Sequence, residues 1–390
     1  IMRIAMFTDT FIPDTNGVAV SSYNLFKALN DRGHYCVVVT SNPFSKEVTF
    51  EDNVLRIPGI EMKQLYGYNF AAPNRKAQKI LRKLKIDVVH VQSEAGMGIF
   101  GKSFARKQKI PYVYTYHTMY EDYTYYATKG RMETFAKTII RRFSRWQAEI
   151  ADEFISPSEK TKVSLREYGV QRYVNVIPTG VDFSKFKYNP ADKDFLDNYK
   201  KEYGLDNTFN LVYVGRVAKE KSIDVVIRGY ALYVKDNPEH NSRLIIVGGG
   251  PAIPELEELA DQLHITSLVH FVGKVLPNDI GKYYHLGEVF VSASISETQG
   301  LTFMEAMAAE RILLCRFDEG LVGVIKDGES GYFFRSEEDF GAMVNKIRSL
   351  SKKKIREILD TANVIVDYYS NERFVERCEH VYLRALRNSW

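Results

Sequence analysis

A chain of 390 residues exceeds one ordinary domain, and its 45% hydrophobic share is that of a globular protein. No apolar run approaches the ~18 residues of a membrane span, no signal peptide is visible, and Cys36, Cys315 and Cys378 have the spacing of neither a zinc site nor a disulfide framework, which fits a reducing cytoplasm. The net charge of +4 conceals an asymmetry: residues 1–190 carry 28 Lys and Arg against 18 Asp and Glu, while the remainder is acidic, so one half suits an anionic surface unless the clustering is chance.

Ile1 stands ahead of Met2 and reads as an addition to the natural start. Arg3 to Thr8 (RIAMFT) reads as a first strand. The loop after it holds Asn16-Gly17-Val18, either a plain turn or backbone brought close to a ligand. Ser21 to Asp31 has helical spacing and is closed by Gly33. Cys36 to Thr40 (CVVVT), Asp87 to Gln92 (DVVHVQ) and Tyr112 to Tyr116 (YVYTY) read as further strands, with a basic run, RKAQKILRKLK, at 75–85. These strands are apolar or aromatic throughout, the pattern of parallel strands buried on both faces. Their alternation with helices predicts βαβ units and a doubly wound sheet. The 25 Tyr and 23 Phe fill large cores or line an aromatic cleft or membrane face.

Thr115-Tyr116-His117-Thr118 follows the last of these strands and leads into an acidic aromatic loop, MYEDYTYY. A histidine at a carboxyl strand end is either structural or part of a site. In GRMETFAKTIIRRFSRWQ, 130–147, Met132, Phe135, Ile139, Ile140, Phe143 and Trp146 share a helical face, and Arg141, Arg142 and Arg145 lie off it. Such a basic amphipathic helix either packs on the core with a solvated face or, together with 75–85, lies on an anionic membrane. No recognised nucleic-acid motif accompanies the charge, so nucleic acid is not an expected partner.

Val174 to Ile177 leads into PTGVD and a polar stretch, placing a domain junction at about 180–206. Asn210 to Val214 (NLVYV) is then a strand ending at Gly215, followed by Arg216 and Lys221. Two cations there suit a diphosphate, Arg as a fork and Lys as a point charge, or are a solvated pair. Arg243 to Val247 (RLIIV) runs into Gly248, Gly249, Gly250 and Pro251, either amides facing a phosphate at a helix start or a tight turn needing positive φ. Val269 to Val272 and Val289 to Ser292 are further strands. No G-x-G-x-x-G with an acidic partner and no Walker motif occurs, which disfavours a dehydrogenase and a nucleotide hydrolase. The stretch ETQGLTFME, 297–305, places Glu297 on a loop and Glu305 just over one turn inside a helix predicted from Leu301 to Ala309. Two carboxylates at two depths, with the Gly300 and Leu301 amides between them, suit a sugar hydroxyl, a diphosphate and a second polyol in a row. The plainer alternative is one carboxylate favouring a helix dipole and one solvated.

The ordered set N-G-V, Y-H-T, I-P-T-G-V-D, G-R-x4-K, V-G-G-G-P and S-E-T-Q-G-L-T-F-M-E-A-M-A resembles the family 4 retaining glycosyltransferases of GT-B fold, over nearly the whole chain. Within that family FTDTFIPDTNGVAVSS and YHTMYEDYTYY look most like the bacterial diacylglycerol α-glucosyltransferases. The resemblance implies two Rossmann-like, doubly wound α/β domains facing across a cleft: 1–185 on the acceptor and membrane side, 186–370 for the nucleotide-sugar donor, and a helix at 371–390 returning to the first domain. It implies glucose transfer from UDP-glucose to the 3-hydroxyl of 1,2-diacylglycerol, by a peripheral enzyme on the cytoplasmic face of the cell membrane. Another UDP-sugar or acceptor (glycolipid, phosphatidylinositol, protein) and a noncatalytic nucleotide-sugar binding module are the alternatives. The sequence carries no signal of oligomeric state.

By the same resemblance Glu305 holds the nucleotide ribose and Glu297 contacts the transferred sugar near its 3-hydroxyl. Arg216 and Lys221, with Gly215 and Gly248 beside them and the Gly300 and Leu301 amides, neutralise the diphosphate. Gly17 lets the first loop approach the donor phosphates, His117 sits beside the donor sugar, and Lys274 and Val275 border the base. Arg141, Arg142, Arg145, Phe143 and Trp146 would meet the membrane. Two cations and helix-end amides can replace a metal, so neither metal nor cofactor is expected. Two departures stand out. Ala309-Glu310-Arg311-Ile312 replaces the usual Gly and Pro, and CRFDEGLVGVI stands where a small apolar strand is usual.

Overall fold

The computed structural model describes residues 1–14, 17–42, 44–62, 68–94, 96–117, 133–294 and 300–389. The chain forms two compact units, Ile1–Val181 with Tyr369–Trp390, and Asp182–Tyr368. The first unit ends four residues before the boundary read from the sequence. There the chain meets its own returning segment: the Val181 amide donates to Tyr369 O and the Asn371 amide to Val181 O, both at 3.1 Å.

In the first unit the apolar runs form β1 (Arg3–Phe7), β2 (Tyr35–Asn42), β3 (Thr49–Glu51), β4 (Val54–Pro58), β5 (Ile60–Met62), β6 (Tyr68–Phe70), β7 (Val88–Val91), β8 (Tyr112–Thr115), β9 (Glu153–Ser156) and β10 (Asn175–Val176). Eight of them make one sheet in the order β10-β9-β8-β7-β1-β2-β4-β3, with β5 and β6 paired separately. The ladder is parallel save for β3 against β4, with Ile4 opposite Cys36 on one side and Val88 on the other. The connecting helices are α1 (Gly17–Asp31), α2 (Arg75–Lys83), α3 (Gly96–Gln108), α4 (Glu133–Ile150) and α5 (Glu159–Glu167). β7, β8 and β9 are buried at every position, because helices cover both sheet faces.

In the second unit α6 (Lys193–Glu202) precedes β11 (Phe209–Val214), α7 (Ile223–Asp236), β12 (Ser242–Val247), α8 (Ile253–Gln262), β13 (Val269–Gly273), α9 (Ile280–Tyr283), β14 (Val289–Ser292), α10 (Leu301–Ala308), β15 (Ile312–Arg316), β16 (Tyr332–Phe334), α11 (Glu337–Arg348) and α12 (Lys352–Tyr368). The six strands pair in parallel in the order β13-β12-β11-β14-β15-β16. The last helix, α13 (Asn371–Asn388), belongs to the first unit. Its Phe374, Val375, Cys378, Val381 and Tyr382 pack with Ile4, Met6, Leu25 and Leu29. Each buried methylene there contributes roughly 0.8 kcal/mol, enough in sum to hold a helix from the far end of the chain.

The strand orders decide where the loops meet. In the first unit the chain turns from β1 to β2 on one side and later to β7 on the other; in the second it turns from β11 to β12 and later to β14. Each is a topological switch point, the place where open parallel sheets leave a crevice at their carboxyl ends.

Candidate active site

In the second unit the strand order sets four loops side by side: after β13, β12, β11 and β14. The β12 loop is stitched into its neighbours by backbone bonds. Gly248 donates to Gly273 O at 3.0 Å, Val217 donates to Gly249 O at 3.0 Å, and Ala252 donates to Val217 O at 3.1 Å. The glycines are needed for this approach. A Cβ on Gly248 would lie 1.8 Å from Gly215 O, and one on Gly250 2.0 Å from Val217 O. The amide of Gly248 is therefore engaged within the chain, which corrects the expectation that it faces a phosphate. Gly248 acts here by clearing room for the Gly215 backbone, whereas a Cβ on Gly215 would meet the Tyr213 hydroxyl at 2.8 Å.

Arg216 is exposed at the β11 loop and lies 3.9 Å from Glu220. Lys221 closes the following turn, its amide donating to Ala218 O. Both cations stand at the switch point between β11 and β14. Across it Gly300, at φ 61°, opens α10. Glu297 lies outside the described residues. Glu305 is half-buried on α10, and its Oε2 accepts from the Tyr284 hydroxyl at 2.7 Å. Tyr284 is fully buried, edge-on to Phe186. Lys274 is exposed and Val275 half-buried beyond β13, with Lys274 Cβ 3.0 Å from where a Gly249 Cβ would sit. Tyr284 escaped the sequence reading because a tyrosine in a helical stretch carries no sign of what its hydroxyl will meet.

The family departure after α10 also has a geometric account. Glu310 adopts the left-handed conformation, φ 55°, that glycine usually fills after a helix. Its carboxylate is held by Arg356 and Asn363, both at 3.0 Å, and Arg311 donates to Ala309 O and Gly287 O. These bonds keep the turn without glycine.

In the first unit Gly17 is the first residue of α1 rather than part of the loop before it, and a Cβ there meets nothing within 4 Å. Asn16 lies outside the described residues. His117 is half-buried two residues beyond β8, its Nε2 2.5 Å from Gln92 Oε1. Gln92 follows β7, next to the switch point between β7 and β1. Behind it lies His90, 1% exposed, bonded to the Tyr382 hydroxyl and to Thr115 Oγ1, each at 2.7 Å. Burial pushes the His90 pKa down to about 3 and that of His117 down to about 4, so both rings are neutral. The sequence hinted at this cluster only through His90, a polar residue in an otherwise apolar strand.

Of the apolar face read for helix α4, the structure describes the side chains of Phe143 and Trp146 only. In its described C-terminal half the buried stripe is Ser144, Gln147 and Ala148, whereas Phe143 and Trp146 are 39% and 48% exposed. The two aromatics instead line a cavity of about 550 Å³ between α3 and α4, with Ile99, Lys102, Arg106 and Lys107 opposite. Lys102 Nζ stands 3.5 Å above the Trp146 ring. Arg141 lies over Tyr168, Arg145 pairs with Glu149, and Arg142 is exposed. The basic residues Arg75, Lys76, Lys79, Arg82 and Lys83 of α2 are likewise exposed. Among the described residues no helix is long and apolar enough to cross a membrane.

Residues 15–185 match the family described as Glycosyltransferase Family 4, and residues 196–366 match Glycosyl transferases group 1. An alpha-monoglucosyldiacylglycerol synthase of Acholeplasma laidlawii is 32% identical over 98% of this chain and 97% of its own. The synthase of that name from Streptococcus pneumoniae is 32% identical over 99% of this chain and 86% of its own. The structure of Anabaena HepE in complex with UDP, 16% identical, superposes over 97% of this chain and 99% of that one with a TM-score of 0.64. That neighbour speaks to the fold, and the relatives to the family. With both halves matched and full-length relatives at this identity, the chain belongs to glycosyltransferase family 4 and is a hexosyltransferase of GT-B fold.

Proposed function

We propose that this protein transfers glucose from UDP-glucose to the 3-hydroxyl of a 1,2-diacylglycerol, with retention, while attached peripherally to the inner face of the cell membrane. The observation that carries the lipid part is the exposed pair Phe143 and Trp146, facing Lys102, Arg106 and Lys107 across the α3–α4 cavity. Exposed aromatics ringed by cations suit an interface of acyl chains and anionic headgroups. The names of the full-length relatives support the same acceptor.

For the donor, Glu305 holds the ribose hydroxyls, Arg216 and Lys221 meet the diphosphate with the Gly300 and Leu301 amides, and Lys274 and Val275 border the base. Glu297 contacts the sugar and His117 stands beside it. The step is written as attack on the face that the leaving group vacates. The bond from C1 to the phosphate oxygen breaks, the bond from the acceptor oxygen to C1 forms, and the acceptor proton passes to the departing diphosphate. The chain's contribution is orientation and stabilisation of the charge that grows on that diphosphate. Its two cations and helix-end amides supply that charge, so the reading includes no metal or cofactor.

Incubation with labelled UDP-glucose and diacylglycerol vesicles tests the proposal. A glucosyldiacylglycerol product supports it, and slow release of free glucose alone overturns the lipid acceptor. A panel with UDP-galactose, UDP-GlcNAc and GDP-sugars tests the donor.

A further inference from the structure

The bonds behind His117 reach the other end of the chain. Gln92 is 3% exposed, and its amide donates to Phe7 O at 2.8 Å, so its backbone is fixed by the central strand of the sheet. Its side-chain nitrogen lies 3.3 Å from His90 Nδ1 and 3.2 Å from His90 Nε2. Near-equal distances to the two ring nitrogens place that group over the ring rather than in line with either lone pair. Both nitrogens already have hydroxyl partners, Tyr382 and Thr115. A ring face attracts an N–H and repels an amide oxygen. The Gln92 amide is thereby oriented with NH2 toward His90 and its oxygen toward His117. An amide oxygen only accepts, so the proton of the neutral His117 ring belongs on Nε2. That leaves Nδ1 as a bare acceptor, the form that receives a hydrogen bond from a hydroxyl group of a sugar or glycerol.

We propose that Gln92 is a positioning residue that holds His117 in the Nε2–H tautomer, and that Tyr382 on the last helix fixes Gln92 through His90. This rests on the reading of His117 as a site residue. The consequence is that α13, the last helix of the chain, sets the hydrogen-bonding character of a group at the carboxyl end of β8.

The test is 15N NMR of histidine-labelled full-length protein, with His117→Ala to assign the ring. The wild type is expected to show His117 as the Nε2–H tautomer. Gln92→Met, of similar shape without the acceptor, should give a mixed tautomer and a fall in kcat of about tenfold, the effect of one hydrogen bond, with UDP affinity held. Gln92→Glu should protonate the ring at both nitrogens. Tyr382→Phe, further from the ring, should shift the tautomer in the same direction more weakly. A wild-type ring protonated on Nδ1, or one unmoved by Gln92→Met, overturns the proposal. Should the tautomer behave as stated while His117→Ala retains full transfer, the reading of His117 falls and the positioning by Gln92 stands.

Discussion

The hydroxyl of Tyr284 donates to Oε2 of Glu305 at 2.7 Å, from a ring that is itself fully buried. One carboxylate oxygen is thus aimed by the core of the second unit. Tyr284→Phe removes the bond and keeps the packing. A hydrogen bond to a charged group is worth about 1.5 kcal/mol, so the UDP dissociation constant should rise roughly tenfold with little change in kcat. Calorimetry with UDP checks it, and unchanged affinity would separate Glu305 from the donor.

Gly248 and Gly17 should respond oppositely to alanine. At Gly248 the new Cβ meets backbone oxygen, which cannot swing aside, so Gly248→Ala should lower the stability of the second unit by about 3 kcal/mol or more. Gly17 heads α1 in open space, and there Gly17→Ala should raise stability by roughly 0.5 kcal/mol while lowering transfer. Urea unfolding and a transfer assay on both variants read the contrast. Full transfer by Gly17→Ala would remove this glycine from the donor site.

Glu310 holds a left-handed turn with side-chain bonds in place of glycine. Glu310→Ala keeps the strained backbone and loses Arg356 and Asn363, and should lower the thermal midpoint. Glu310→Gly loses the same partners and relieves the backbone. It should exceed the alanine variant by about 1 kcal/mol, the usual penalty of that conformation. Equal stabilities would show that the turn is unstrained.

Acid should weaken the first unit through His90. Its folded pKa is lowered by burial to about 3, below the ~6.5 of an unfolded histidine. Between these values the unfolded chain binds the extra proton, so stability falls as pH drops from about 6.5 toward 3, by up to ~1.4 kcal/mol per pH unit. His117, lowered in the same direction, adds to it. Urea midpoints at pH 7.5, 6 and 5 should decline more steeply for the wild type than for His90→Gln. Parallel slopes would mean that His90 is protonated in the folded protein.

The α3–α4 cavity gives a test of the membrane reading. Lys102→Glu with Arg106→Glu should weaken binding to vesicles rich in phosphatidylglycerol, and added salt should weaken wild-type binding as exposed charges are screened. Salt-independent binding, or binding unchanged in the variant, would point away from this face.

The sequence by itself determined the central parallel strands of both sheets and the family, while β9, β15 and β16 appeared only in the structure. Parallel strands covered on both faces must be apolar at every position, so runs such as CVVVT and NLVYV announced themselves, and Val289–Ser292 has the ends read for it. The spaced motifs, read at carboxyl strand ends, marked where loops could meet, and the strand order that sets those loops side by side was decided by the fold. Tertiary structure decided what local pattern leaves open. Helical periodicity shows that α4 has two faces, not which one meets the core, and packing put Ser144, Gln147 and Ala148 inside and Phe143 and Trp146 outside. A glycine run shows where backbone is bare, not what approaches it; at Gly248 the neighbour is another loop. The bond between His90 and Tyr382 spans 292 positions, and no local rule connects residues that only the docking of the last helix brings within 2.7 Å.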